Sequence, residues 1–122
     1  MRNRLGDKER LEHMLDAVEL ILRHTEGMSF AEFEQNEMLP FAVVKNLEII
    51  GEAANHLSED TKQTEVQIDW SKIISARHIF VHAYYDTDWE IVWTIASDYL
   101  APLKEALMKM IEKEKDNDAT NK

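Results

Sequence analysis

The segment Arg77-His78-Ile79-Phe80-Val81-His82-Ala83-Tyr84 sets a permanent cation, an imidazole and a phenol within eight residues of an otherwise apolar stretch. Those groups suit phosphodiester chemistry. Arginine stays charged at any biological pH and its planar fork matches phosphate oxygens, while histidine is the side chain that can both give and take a proton near neutrality. The candidate catalytic pair is therefore Arg77 and His82, with Tyr84 two residues further on and His78 and Tyr85 as supporting groups.

Ordinary roles compete with the catalytic ones. Arg77 could pair with a carboxylate of a neighbouring helix such as Glu52 or Glu48, and a half-buried His82 could simply bond to backbone. Tyr84 and Tyr85 could be packing aromatics with wet hydroxyls. His78, next to Arg77, is expected on another face, in a structural or peripheral place. Asp86 and Asp88 have the spacing of a metal pair, but no histidine joins them at ligand spacing and helix capping accounts for Asp88, so no metal site is expected.

The elements that carry these residues read as helices, because Gly and Pro number only three and two and strand-like alternation is rare. Leu11, Met14, Leu15, Val18, Ile21 and Leu22 recur at helical spacing and predict a first amphipathic helix ending near Gly27. Ser29 with Glu32 forms a capping box that opens a short second helix. Beyond Pro40, the stripe Val43, Leu47, Ile50, Ala54 and Leu57 predicts a central third helix, where Gly51, Ala53 and Ala54 leave room for another helix to approach. Residues 58–67 form a connection with at most a turn of helix, and Asp69 caps a fourth helix that begins at Trp70 and carries Arg77. Thr87 and Glu90 repeat the capping-box spacing and open a fifth helix along Val92, Ile95, Ala96, Tyr99, Leu103, Leu107 and Met110, kinked or interrupted by Pro102. After Ile111 the charged segment is expected to fray.

The fold class that follows is all-α, an antiparallel bundle of four to five helices in a single domain over residues 1–115, with a polar tail over 116–122. On one straight helix Arg77 and His82 would lie about 140° apart, so they do not converge there. Either the fourth helix ends near Val81 and lets His82 and Tyr84 fold back, or a symmetric dimer joins one chain's arginine to the other's histidine. The capping box at Thr87 requires a break between Val81 and Asp88 in both cases.

Composition bounds the function. The chain has 122 residues and no cysteine, which excludes disulfides and thiolate metal sites. With no apolar leader or long hydrophobic run, a cytoplasmic protein without a membrane span is expected. Its 24 acidic residues against 14 Lys plus Arg give a formal charge of -10, which argues against non-specific coating of nucleic acid, since that rests on a broadly basic surface. A small local cationic site stays compatible with it.

Arg77, His82 and Tyr84 match the arginine, four residues, histidine, one residue, tyrosine signature of the HepT-like branch of HEPN ribonuclease toxins, which this chain resembles. The flanks agree: residues 45–54 (Lys45-Asn46-Leu47-Glu48-Ile49-Ile50-Gly51-Glu52-Ala53-Ala54) look like that family's central helix, and Ile68-Asp69-Trp70 and Asp88-Trp89-Glu90-Ile91-Val92-Trp93 look like its motif surroundings. The resemblance covers roughly residues 8 to 111. Two positions depart from it: His78 stands where the family most often has asparagine, and Lys45 where an arginine is common. The first bears on how Arg77 or a phosphate is held.

The resemblance implies a homodimer whose two motifs share a cleft that cuts RNA, either tRNA or mRNA, without metal or other cofactor. DNA would be immune because it lacks the 2′-hydroxyl nucleophile. It also implies a minimal nucleotidyltransferase antitoxin as partner, which attaches AMP to the motif tyrosine, here Tyr84. Against this stand a non-catalytic helical binding subunit that partners a nucleotidyltransferase, and a purely structural dimerisation domain.

Overall fold

The computed structural model describes residues 2–78 and 88–120, all of whose regular elements are helical. Helix α1 (Arg2–Thr25) buries Leu11, Met14, Val18 and Ile21 along one stripe, as its spacing predicts. It stops where Gly27 takes φ +74°, a left-handed conformation that glycine adopts without a Cβ penalty, and the Met28 N–H donates to the Thr25 carbonyl. Helix α2 (Phe30–Gln35) opens on the expected capping box. The Ser29 hydroxyl accepts from the Glu32 N–H at 3.1 Å, and the Ser29 N–H donates to the Glu32 carboxylate at 2.9 Å. That backbone bond first, and then the hydroxyl, hold the Glu32 carboxyl below its usual range.

Helix α3 (Leu39–Asn55) is the central element. Pro40 lies in its first turn, where a missing N–H costs nothing, and the Asn36 carboxamide oxygen accepts from the N–H groups of Met38 and Leu39. Val43, Leu47, Ile50 and Ala54 are all buried, and so is Leu57 just past the helix end. α1 packs chiefly against α3 and against the last long helix, so these three enclose the core.

The connection holds one short helix, α4 (Glu59–Gln63), capped by Ser58. It is tied to α1 by the fully buried Asp7, whose carboxylate accepts from the Ser58 N–H at 3.1 Å, the Ser58 hydroxyl at 2.6 Å and the Thr61 hydroxyl. Three donors offset the desolvation of that charge. Helix α5 (Trp70–Ser75) begins at the predicted cap, with the Asp69 carboxylate accepting from the Lys72 N–H at 3.1 Å. The Trp70 indole N–H reaches back to the carbonyls of Lys62 and Glu65.

The end of this element differs from the expectation. α-Helical geometry stops at Ser75 and tightens into a 3₁₀ turn, Ala76–His78, so Arg77 sits on the turn instead of inside a continuing helix. A break expected between Val81 and Asp88 lies outside the described residues.

Helix α6 (Trp89–Thr94) is capped by Asp88, whose carboxylate accepts from the N–H groups of Glu90 at 3.0 Å and Ile91 at 3.4 Å. The cap is thus Asp88; Thr87, the other candidate, lies outside the described residues. A π-helical turn, Ile95–Tyr99, then leads into α7 (Leu100–Thr120). The predicted interruption is present, but it falls just before Pro102. The proline ring would crowd the carbonyl of Asp98, four residues back, and the wider turn relieves that contact. The Ser97 hydroxyl of that turn donates to the Trp93 carbonyl of α6.

The inserted residue changes which side chains face inward. Leu100 is fully buried and Tyr99, assigned to the apolar stripe, is 37% exposed. α7 also runs to Thr120, beyond Ile111, where fraying was expected, because Glu112, Lys113, Glu114 and Lys115 are good helix formers.

Candidate active site

Arg77 is positioned by a close approach of α5 and its 3₁₀ turn to α3. Ile73 and Ala76 bury against the core, and a Cβ placed on Gly51 would lie 2.8 Å from the Arg77 backbone nitrogen and 2.9 Å from the Ile73 carbonyl oxygen. Only glycine admits that contact. The small-residue patch read from the sequence is therefore the seat of Arg77.

The side chain is then held from two sides. Arg77 Nη1 lies 3.8 Å from Glu52 Oε1, an ion pair in which the arginine side chain is 26% exposed and the glutamate 60%. Arg77 Nε–H donates to His78 Nε2 at 3.1 Å. His78 is thus a direct neighbour of the guanidinium, although it was expected on another face: both side chains are long enough to fold toward each other from adjacent positions on the turn. Of the two carboxylates considered as partners, Glu52 is the one engaged, while Glu48 pairs with Lys45 at 3.6 Å. His56 Nε2 approaches the same Glu52 oxygen at 3.3 Å, a contact no sequence pattern singled out beyond its i,i+4 spacing.

The far flank is anchored by aromatic packing. Trp89 meets Phe33 edge-on with ring centroids 6.5 Å apart and Phe41 at 5.2 Å, while Trp93 lies 5.0 Å from Phe33. Such contacts hold the first turn of α6 against α2 and α3. Both sides of the motif therefore rest on α3, His78 through the Arg77 turn and Asp88 through Trp89.

His82, Tyr84 and Tyr85 lie outside the described residues, as does Asp86. Among the described residues no cluster of acidic, histidine or cysteine side chains could hold a metal ion. No described helix is long and apolar enough to cross a membrane. A groove of about 690 Å³ lies elsewhere, between the end of α1 and α6–α7, lined by Arg23, Met28, Trp93 and Lys104 among others.

An all-α bundle whose central helix seats an arginine at the start of an Arg-x4-His-x-Tyr motif defines a HEPN-like fold. The chain belongs to the HepT-like ribonuclease family, whose model, described as "Ribonuclease HepT-like", matches residues 14–110. Among its relatives, the "Probable ribonuclease HepT" of Thermococcus cleftensis is 32% identical over 103 residues, covering 84% of this chain and 94% of that one. A "Putative RNase" of Caldanaerobacter subterraneus subsp. tengcongensis is 30% identical over 105 residues, 86% of this chain and 94% of the relative. Another so named, from Methanocaldococcus jannaschii, is 33% identical over 110 residues and 88% of each chain. No solved structure matches this chain.

Proposed function

We propose that this chain is a metal-independent RNA endonuclease, the toxin of a toxin–antitoxin pair, active as a homodimer. The observation that carries the reading is the seating of Arg77: a half-buried guanidinium at the start of the motif, fixed by Gly51, Glu52 and His78 in a chain of the HepT-like ribonuclease family. In the reaction the RNA 2′-oxygen forms a bond to the neighbouring phosphorus and the bond from phosphorus to the 5′-oxygen breaks. His82 takes the 2′-hydroxyl proton and returns a proton to the leaving 5′-oxygen, while Arg77 meets the charge that grows on the phosphoryl oxygens. The products are a 2′,3′-cyclic phosphate and a 5′-hydroxyl. Purified protein in chelator is expected to cut total RNA into fragments with those ends and to leave DNA intact. Intact RNA would instead favour a non-catalytic subunit of a nucleotidyltransferase.

Control of the site falls to Tyr84. A minimal nucleotidyltransferase antitoxin would transfer AMP from ATP to the phenol oxygen with release of pyrophosphate, placing bulk and a phosphate charge close in sequence to Arg77. Tyr84→Phe is expected to keep most of the cleavage but to take up no label from α-labelled ATP in the presence of such an antitoxin. Undiminished labelling would move the acceptor to Tyr85.

A further inference from the structure

Arg77 meets two partners through two different nitrogens, and the third is left over. Nε–H donates to His78 Nε2 at 3.1 Å and Nη1 faces Glu52 Oε1 at 3.8 Å, whereas Nη2 has no partner among the described residues. A guanidinium is planar and rigid, so contacts at two of its nitrogens fix the direction of the third. Glu52 is itself restrained by His56, whose Nε2 lies 3.3 Å from the same carboxylate oxygen. The backbone beneath is fixed as well, because Gly51 lets α3 touch the Arg77 nitrogen and Cβ. The Arg77–Glu52 pair is partly exposed, and exposed ion pairs contribute only about 0–1 kcal/mol to stability.

We propose that Glu52 and His78 are positioning residues that clamp the Arg77 guanidinium and present Nη2 to the phosphate. The role in cleavage rests on the nuclease reading above; the clamp does not. His78 acts as an acceptor here, through Nε2. A side chain that offers an acceptor at that place would serve, and an asparagine amide oxygen is an acceptor of that kind. Glu52 has a second effect: its charge offsets part of the arginine's, which limits ground-state attraction for RNA while the orientation favours the transition state.

Two readouts on the full chain test this. The Arg77 Nε–H resonance, assigned by its loss in Arg77→Lys, is expected to be protected from solvent exchange in the wild type. It should lose protection in His78→Ala, recover it in His78→Asn and broaden in Glu52→Ala, with melting temperatures unchanged within a few degrees. In steady-state RNA cleavage, Glu52→Ala and His78→Ala are expected to lower kcat by roughly tenfold without raising KM, since a misaligned group costs rate more than binding. His78→Asn should restore most of the kcat lost in His78→Ala. An Nε–H resonance indifferent to both alanine variants overturns the clamp. Resonances that respond as expected in a wild-type protein that cuts no RNA support the clamp and defeat only the nuclease reading. A responsive resonance with unchanged kcat in both variants overturns the positioning role.

Discussion

Replacing Arg77 with alanine is expected to lower RNA cleavage by about 10²–10³-fold, the usual loss when a preorganised donor to a developing oxyanion is removed. His82→Ala is expected to cost about 10²–10⁴-fold, because it removes the group proposed to carry the proton in both directions. The two losses should not add, since both act on one transition state. Arg77→Lys separates charge from shape: the ammonium keeps the cation but cannot bond His78 and face Glu52 with two nitrogens of one plane, so most of the loss should remain. The fold should be little affected. The arginine side chain is a quarter exposed and its ion pair lies at the surface, so the variants should keep their helical circular dichroism and melt within a few degrees of the wild type. Cleavage of total RNA at the wild-type rate by either alanine variant would remove these residues from the mechanism.

The long elements were legible because each has a single dominant cause. A stripe such as Val43, Leu47, Ile50 and Ala54 can bury itself in only one way, and side-chain caps at Ser29 and Asp69 act on backbone groups within the next turn. Non-local causes were hidden. The π-helical turn arises from Pro102 acting on residues before it, so the periodicity put Tyr99 inside and overlooked Leu100. Phe33 is fully buried although its helix is six residues long, because its partners Trp89 and Trp93 are more than fifty positions away. At the site, Gly51 was readable as a place of close approach and Glu52 as a partner for Arg77. The His78 contact was not, since it depends on the rotamers of two adjacent side chains, which residue spacing does not fix. Placement of His82 and Tyr84 rests on the motif alone.

Gly51→Ala is expected to damage stability and cleavage together, and its two effects can be told apart from helix propensity. Alanine in a helix interior is worth about 1 kcal/mol more than glycine, so propensity alone predicts a more stable protein. Here the new Cβ would lie 2.8 Å from the Arg77 nitrogen and 2.9 Å from the Ile73 carbonyl oxygen, both backbone atoms that no rotamer change can move. The α5 segment and its 3₁₀ turn must shift as a body. Overpacking of that kind costs about 1–3 kcal/mol, so the net change should be a melting temperature lower by several degrees. Displacement of Arg77 by even about 1 Å can cost up to 10²-fold in rate, and kcat should fall further than the stability loss explains. Gly6→Ala supplies the contrast. Its Cβ would meet Arg10 Nη1 at 2.7 Å, the far end of a flexible side chain that can swing away, so that variant should gain the propensity term and keep its activity. If Gly51→Ala also melts higher than the wild type and cuts RNA normally, α3 is not the seat that fixes Arg77.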